Sequence, residues 1–392
     1  MTAVTGTQPG VWTAAAHAVA EIAAEHAARA DREARFPLEA LAAARESGLL
    51  GLLVPADLGG LGGGLRDLVD VTTTLARTDL SVALVLAMHC QQVAVVDRAG
   101  TDELRRTLLP AVARGEVYLG SVTTEAGTGG HLMTSGSVTA AGADGAILID
   151  RDAPVVTGGP HADGYLVTVL APGATSPTQV TLVYAPRDAL EVEVRGGWDP
   201  LGMRATHSVP LRLRGTVEPS AVVGGHEGFR TLVTTVFAPL AHVGWSAAWL
   251  GTASGALARV VAHLRTPAGR RELDVSSELV RARLADVRGR LEVVDALLGR
   301  VLDMLGSGAD VSTPRRQMRL NTLKVRAADE CFAAVDELIE LVGLRHGYLV
   351  GSPLRLEQAF RDLRSASINY RSDRLRLANG SLALLDPEVD LA

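Results

Sequence analysis

Apolar residues recur at helical spacing through the first third of the chain. Val11–Ala30 is amphipathic, and Pro37–Ser47 repeats apolar positions until Gly48 stops it. Further helices are expected over Leu65–Thr78, Ser81–Ala99 and Asp102–Ala113. Between them, the glycine-rich stretch from Ala56 to Gly64 does not satisfy G-x-G-x-x-G, and no Lys follows it as a P-loop requires. It reads as a mobile interhelical turn. The period changes at Gly115. From Val117 to about Gly224 the chain is rich in Val, Thr, Gly and Pro, with short alternating runs at Ala146–Ile149, Tyr165–Val169, Gln179–Val183 and Leu190–Val194. Their spacing suits an antiparallel barrel or sandwich. Helical periodicity then returns in four segments long enough for a bundle: Phe229–Leu264, Val275–Leu305, Pro314–Val342 and Leu354–Leu385.

Composition narrows this picture. A chain of 392 residues is long for one core. The period changes divide it into a helical domain over 1–116, a β domain over 117–226 and a helical bundle over 227–392. An apolar fraction of 47% excludes a disordered chain, and a net charge of −6 gives no general attraction to nucleic acid. Of the 38 basic residues Lys324 is the only lysine, and the arginines are spread along the whole chain. Cys90 and Cys331 make neither a disulfide framework nor a zinc set. The ten histidines show no H-x-x-x-H or H-E-x-x-H pair, so no metal site is expected. No signal peptide is read, and the most apolar stretches, such as Leu80–Met88 and Pro239–Leu264, are too short or too interrupted to span a membrane. The expectation is a soluble cytoplasmic protein. Aromatic residues make up only 4%, so a site that needs an aromatic wall has few residues to build it from.

The order of helices, β unit and bundle is uncommon, and several segments fill it in. They are Phe36-Pro37-Leu38-Glu39, Gly48 to Pro55 with the Leu58–Gly62 loop, Gly100 to Glu103 through Leu109-Pro110 to Gly115-Glu116, and Thr124-Glu125-Ala126-Gly127-Thr128. Val155 to Asp163, Leu201 to Thr206 and Phe360 to Arg364 complete the set. In this order and spacing the chain resembles the acyl-CoA dehydrogenase family over nearly its whole length. The resemblance implies an α+β fold with an N-terminal helical domain, a central antiparallel β-barrel domain and a C-terminal four-helix bundle. It also implies FAD between the β domain and the bundle, and a homodimer or homotetramer in which a neighbour contacts part of the cofactor. The substrate class implied is an acyl thioester, carried on CoA or a carrier protein. Its α-proton goes to a carboxylate and its β-hydride to the flavin, whose electrons pass to an acceptor not yet named. The cofactor-binding residues carried over are Thr124, Thr128, Thr157, Arg265, Arg270 and Gly343.

Neither family position for the catalytic Glu holds a carboxylate here. One is Tyr370, within Ile368-Asn369-Tyr370-Arg371-Ser372-Asp373, and the other is Ala241, beside His242. Three candidates remain, beside the reading in which none of them does chemistry and each has a structural role. Tyr370 would act as a base only if its phenol, ordinarily near pKa 10, were shifted well down. His242 starts nearer neutrality. Asp373 stands about one helical turn from Tyr370, where it reaches a partner or pairs with Arg371 or Arg374. His131 and His207 are further pocket candidates. Aromatic residues expected around the cofactor are replaced at Val155, Arg270 and Leu344-Arg345. Besides the dehydrogenase, two readings stay open: a flavin monooxygenase, in which a base carboxylate is not needed, and a cofactor-poor, non-catalytic partner subunit.

Overall fold

The computed structural model describes residues 11–125, 132–136, 145–389 and 391. Five helices lead: α1 (Val11–Glu33), α2 (Leu38–Glu46), α3 (Leu65–Ala76), α4 (Leu80–Ala99) and α5 (Asp102–Ala113). Side-chain caps set two of the starts. Asp79 accepts the Val82 N–H ahead of α4, and Thr101 accepts the Leu104 N–H ahead of α5. Helix α4 runs well beyond the Leu80–Met88 stretch and has the length and apolarity to cross a membrane, yet 83% of its apolar window is buried within the fold. It is a core helix. The glycine-rich stretch is a tightly hydrogen-bonded turn and not the mobile connection expected. The N–H groups of Gly60, Leu61, Gly62 and Gly63 donate to the carbonyls of Pro55, Gly51, Val54 and Leu52. A Cβ on Gly60 would sit 2.2 Å from the Val54 carbonyl oxygen, so only glycine permits this approach.

Seven strands follow: β1 (Leu119–Val122), β2 (Ile147–Ala153), β3 (Gly164–Leu170), β4 (Val180–Pro186), β5 (Leu190–Val194), β6 (Leu211–Val217) and β7 (Val222–Val223). They form two sheets, ordered β1-β3-β4-β7 and β2-β6-β5, and no closed barrel exists among the described residues. The expected antiparallel barrel is therefore corrected in two respects. The sheets stay separate, and β1 runs parallel to β3, with Leu119 opposite Gly164. The chain leaves β1, forms β2 in the other sheet and only then returns to β3. Such a crossover is what a parallel pair requires. Strand β2 alternates buried and exposed along its length, so Ile147, Ile149, Arg151 and Ala153 all face inward.

The last part is helical: α6 (Phe229–Leu232), a π-helical turn over Val233–Phe237, α7 (Ala238–Leu264), α8 (Pro267–Glu272), α9 (Glu278–Gly306), α10 (Pro314–Gly343), a second π-helical turn over Leu344–Tyr348, α11 (Leu356–Leu363) and α12 (Ser372–Ala383). Helix α10 packs on α7, α9, α11 and α12, so the bundle's fourth arm is two short helices in place of one continuous segment. The first π turn has a cause in the sequence. Pro239 lacks an N–H and its ring crowds the carbonyl four residues back, at Thr235, so the helix widens there. Two carbonyls in the widened stretch find side-chain donors, Thr234 from Gln317 and Phe237 from Gln91.

Candidate functional site

A cavity of about 450 Å³ opens where the β region meets α4, α7 and the break between α11 and α12. The β region contributes hydroxyls, from Ser121, Thr123, Thr124, Thr157, Thr206 and Ser208. The helices contribute Leu84, Met88 and Gln91 from α4, Phe237 and Trp245 from the widened turn and α7, and Tyr370, Arg371 and Arg374 from the break. None of the described lining residues is a carboxylate. Aromatic residues are scarce overall, yet Trp198, Phe237, Trp245 and Tyr370 all line this one space. The aromatic wall exists, built from positions other than Val155, which lines the cavity as an exposed aliphatic residue.

The hydroxyls are held in a network. Thr124 Oγ1 donates to the Val155 carbonyl at 2.9 Å. Thr157 Oγ1 lies 3.1 Å from Ser208 Oγ, which lies 2.8 Å from Thr206 Oγ1, and Thr206 in turn donates to the Met203 carbonyl. Beneath Thr124 is the fully buried Arg151, which donates to Glu125 Oε2 at 2.5 Å, to the Thr124 carbonyl and to Thr168 Oγ1. Glu125 also accepts from the Ser135 hydroxyl and the Gly136 N–H. The pair thus ties the turn carrying Thr124 to the inner face of β2. A second clamp uses the Phe360-Arg361-Asp362 segment. Arg361 pairs with Asp31 at 2.6 Å and donates to the Leu201 carbonyl, and Asp362 Oδ1 accepts the Met203 N–H at 2.6 Å. The turn carrying Met203 and Thr206 is thereby fastened to α11 and α1.

Of the sequence candidates for the chemistry, only Tyr370 reaches the cavity. Its backbone φ of +45° is a conformation bulky residues rarely adopt, and it sits in the break of the fourth arm. Burial raises its phenol above the ordinary value, opposite to what a base needs. His242 is buried behind it, the two rings 6.2 Å apart, with Nδ1 lacking a hydrogen-bond partner. Desolvation, with a contribution from Lys324, pushes its imidazole down to about 4, so it is neutral. Asp373 lies outside the cavity, exposed and paired with Arg371 at 2.6 Å, and that hydrogen bond holds its carboxyl low. Thr124 and Thr157 are in the cavity wall, while Thr128 and His131 lie outside the described residues. Arg265 is exposed at the far end of α7, about 30 Å along the helix from Trp245 at 1.5 Å per residue, and Arg270 is exposed on α8 just beyond it. Gly343, at φ +70°, ends α10 with open space where a Cβ would stand. His207 pairs with His161 at 3.3 Å.

Lys324 was not among the candidates. It is fully buried on α10, and its Nζ donates to the Ala366 carbonyl at 2.9 Å and to Ser372 Oγ at 3.1 Å. It therefore bridges both ends of the break that carries Tyr370. The ammonium also stands 5.5 Å from the Trp249 ring centroid. Desolvation pushes it down to about 8. A signal existed: one lysine among 38 basic residues. Arg151 had a signal too, as an arginine at an inward position of an alternating strand.

Comparison with known proteins accords with this geometry. Residues 8–116 match the model of the acyl-CoA dehydrogenase N-terminal domain, and residues 227–369 that of the acyl-CoA dehydrogenase C-terminal domain. The mitochondrial isobutyryl-CoA dehydrogenase of Dictyostelium discoideum is 26% identical over 345 residues, covering 88% of this chain and 80% of that protein. The amino sugar nitrososynthase DnmZ of Streptomyces peucetius is 28% identical over 370 residues, covering 87% and 84%. The crystal structure of FMN-bound TdsC from Paenibacillus sp. A11-2 superposes with a TM-score of 0.82 at 22% identity, covering 96% of each chain, and so shares the fold. The two domain models, with the cavity set between the regions they flank, establish that the chain belongs to the acyl-CoA dehydrogenase family.

Proposed function

We propose that the protein is a flavin-dependent monooxygenase built on the acyl-CoA dehydrogenase fold. One observation carries this reading: the described cavity lining offers no carboxylate, and its one candidate acid–base group is a phenol shifted upward. Removing a proton from the α-carbon of a thioester needs a base within hydrogen-bond reach. Here His242 stands behind Tyr370, and Asp373 is already paired with Arg371 outside the cavity. Oxygen insertion makes no such demand. A dibenzothiophene monooxygenase of Mycolicibacterium goodii, 26% identical over 323 residues, supports chemistry of this kind on this fold.

The residues present fit a flavin. Thr124 commits its proton to the Val155 carbonyl and Thr206 its own to the Met203 carbonyl, so Ser208 donates to Thr206 and Thr157 to Ser208, and the whole hydroxyl wall presents lone pairs to a donor on the ring. Trp245 and Phe237 supply flat apolar surface beside them. Flavin, when bound, would supply the redox chemistry. The protein's part is to orient the ring through the hydroxyl wall, exclude water with Leu84, Met88 and the aromatic residues, and hold a proton on Tyr370 as a hydrogen-bond donor. Arg371 and Arg374 bring two positive charges to that end of the cavity against the one carboxylate of Asp373 that pairs with Arg371, which favours a substrate with an anionic group. Arg265, Arg270 and Gly343, remote from this wall, are assigned to the distal part of FAD on a neighbouring subunit.

The test begins with the visible spectrum of the purified protein reconstituted with FAD. Isobutyryl-CoA added without oxygen is expected to leave the flavin oxidised. The chemically reduced protein is expected to consume oxygen and to oxygenate an amine-bearing substrate that also carries an anionic group. Anaerobic bleaching by a thioester would return the dehydrogenase reading, and failure to take up FAD or FMN would return the non-catalytic one.

A further inference from the structure

Two histidines far apart in sequence meet in space. His263 near the end of α7, Glu272 at the end of α8 and His346 in the π turn after α10 converge on one point. His263 Nε2 lies 3.0 Å from Glu272 Oε2, and His346 Nε2 lies 2.8 Å from that same oxygen. The three ligand atoms all fall within 4.8 Å of one another, and the two rings are 4.5 Å apart between centroids. We propose that these residues form a binding site for a divalent transition metal of the zinc class, outside the cavity and flanked in sequence by Arg265, Arg270 and Gly343.

The donor set selects the metal. Two imidazole nitrogens and one carboxylate oxygen suit Zn²⁺, Co²⁺ or Ni²⁺, whereas Mg²⁺ and Ca²⁺ prefer all-oxygen sites. A tetrahedral zinc bound at about 2.0–2.2 Å places neighbouring ligand atoms about 3.3 Å apart. The two contacts to Oε2 are already within a few tenths of an ångström of that edge. The carboxylate has outer support as well. Arg345 donates to its other oxygen, Oε1, at 3.1 Å, so Oε2 is left to the metal while the carboxylate stays oriented. Without a metal the Glu272 carboxylate holds the His346 proton on Nε2, and ligation moves it to Nδ1, which has no hydrogen-bond partner now. Both histidines are about one-sixth exposed or less and Glu272 about one-third, which leaves an entry path and room for a solvent ligand.

Such an ion would join three elements whose side chains already meet at Glu272. Its test is calorimetric titration of the full chain with Zn²⁺ alone. One saturable equivalent per chain is expected, together with a rise in the melting temperature. His263→Gln, Glu272→Gln and His346→Gln should each weaken binding on the order of 100-fold, by analogy with lost metal partners. Glu272→Gln keeps the size and the acceptor oxygen, so it separates loss of ligation from loss of folding. On the unaltered protein, side-chain nitrogen NMR provides a second readout. Zn²⁺ should shift two of the ten histidine rings. Absence of saturable binding, an affinity in the three variants equal to that of the unaltered protein, or shifts at other histidines would each overturn the site.

Discussion

Lys324 carries a buried charge with two neutral acceptors, Ala366 O and Ser372 Oγ, as its hydrogen-bond partners, and that makes its titration a direct test of the site's architecture. Desolvation takes its pKa from an ordinary 10.5 to about 8. Lowering by that amount costs the folded state about 3 kcal/mol at neutral pH, at 1.36 kcal/mol per unit. The sign is the reverse of a lysine that gains a carboxylate partner. Below about pH 8 the amine is charged in both folded and unfolded chains, and the full penalty applies. Between pH 8 and 10.5 the unfolded chain holds the proton more tightly, so this group's contribution to stability rises with pH. Integrating between pH 7 and 9 gives a gain of about 1 kcal/mol. Buried Cys90, Cys331 and Tyr118 have raised pKa values and act in the opposite direction at high pH. The informative quantity is therefore the difference between the wild type and Lys324→Met in urea unfolding at the two pH values. Because the chain has one lysine, selective nitrogen labelling of lysine yields a single Nζ signal whose midpoint is expected near 8. A midpoint at 10 or above, or a wild-type-minus-variant difference that stays flat from pH 7 to 9, would refute the reasoning.

Other outcomes follow from the same geometry. Arg151→Met strands Glu125 in the β domain and should cost about 3–5 kcal/mol, read as a shift of the urea midpoint; an unchanged midpoint would mean the buried pair is not holding the Thr124 turn. Tyr370→Phe should leave folding and flavin uptake intact while slowing turnover about tenfold, the value of one hydrogen bond of roughly 1.4 kcal/mol, and full activity would remove the phenol from the chemistry. Gly202→Ala would set a Cβ 2.1 Å from the Arg361 carbonyl oxygen, costing about 1–3 kcal/mol and loosening flavin retention, measured by denaturation and by the fraction of flavin kept through gel filtration. Leu344, Tyr348, Leu349 and Val350 leave an exposed apolar run that fits a subunit contact, so light scattering should report a dimer or tetramer, and Val350→Asp should shift it toward monomer.

What the chain discloses about itself depends on the range over which each feature is encoded. Periodicity is local, and it locates helices on both sides of a β region. It also fails locally, since the pattern over Leu354–Leu385 continues through a break that only tertiary contacts impose. Nothing between Ser365 and Arg371 is a strong helix breaker, yet Tyr370 adopts φ +45° there. The ends of that stretch are drawn to the Lys324 ammonium on another helix, 42 and 48 residues away in sequence. The sheet topology was hidden for a similar reason. Alternation assigns residues to faces but not strands to sheets, and the parallel pairing of β1 with β3 depends on β2 leaving for the other sheet. The hydroxyl wall was partly legible because Thr124 and Thr157 stand in recognisable turns, whereas Ser208 and Trp245 gain meaning only from the neighbours they meet. The two residues that best explain the site's rigidity, Arg151 and Lys324, are charges in apolar surroundings. Each violates the local pattern, and each holds in place a stretch of chain that the cavity needs: the Thr124 turn in one case and the Tyr370 break in the other. A polar residue that interrupts an inward-facing apolar series is thus a stronger pointer to this site than the motif turns themselves, because burying it is costly unless the surrounding structure uses it.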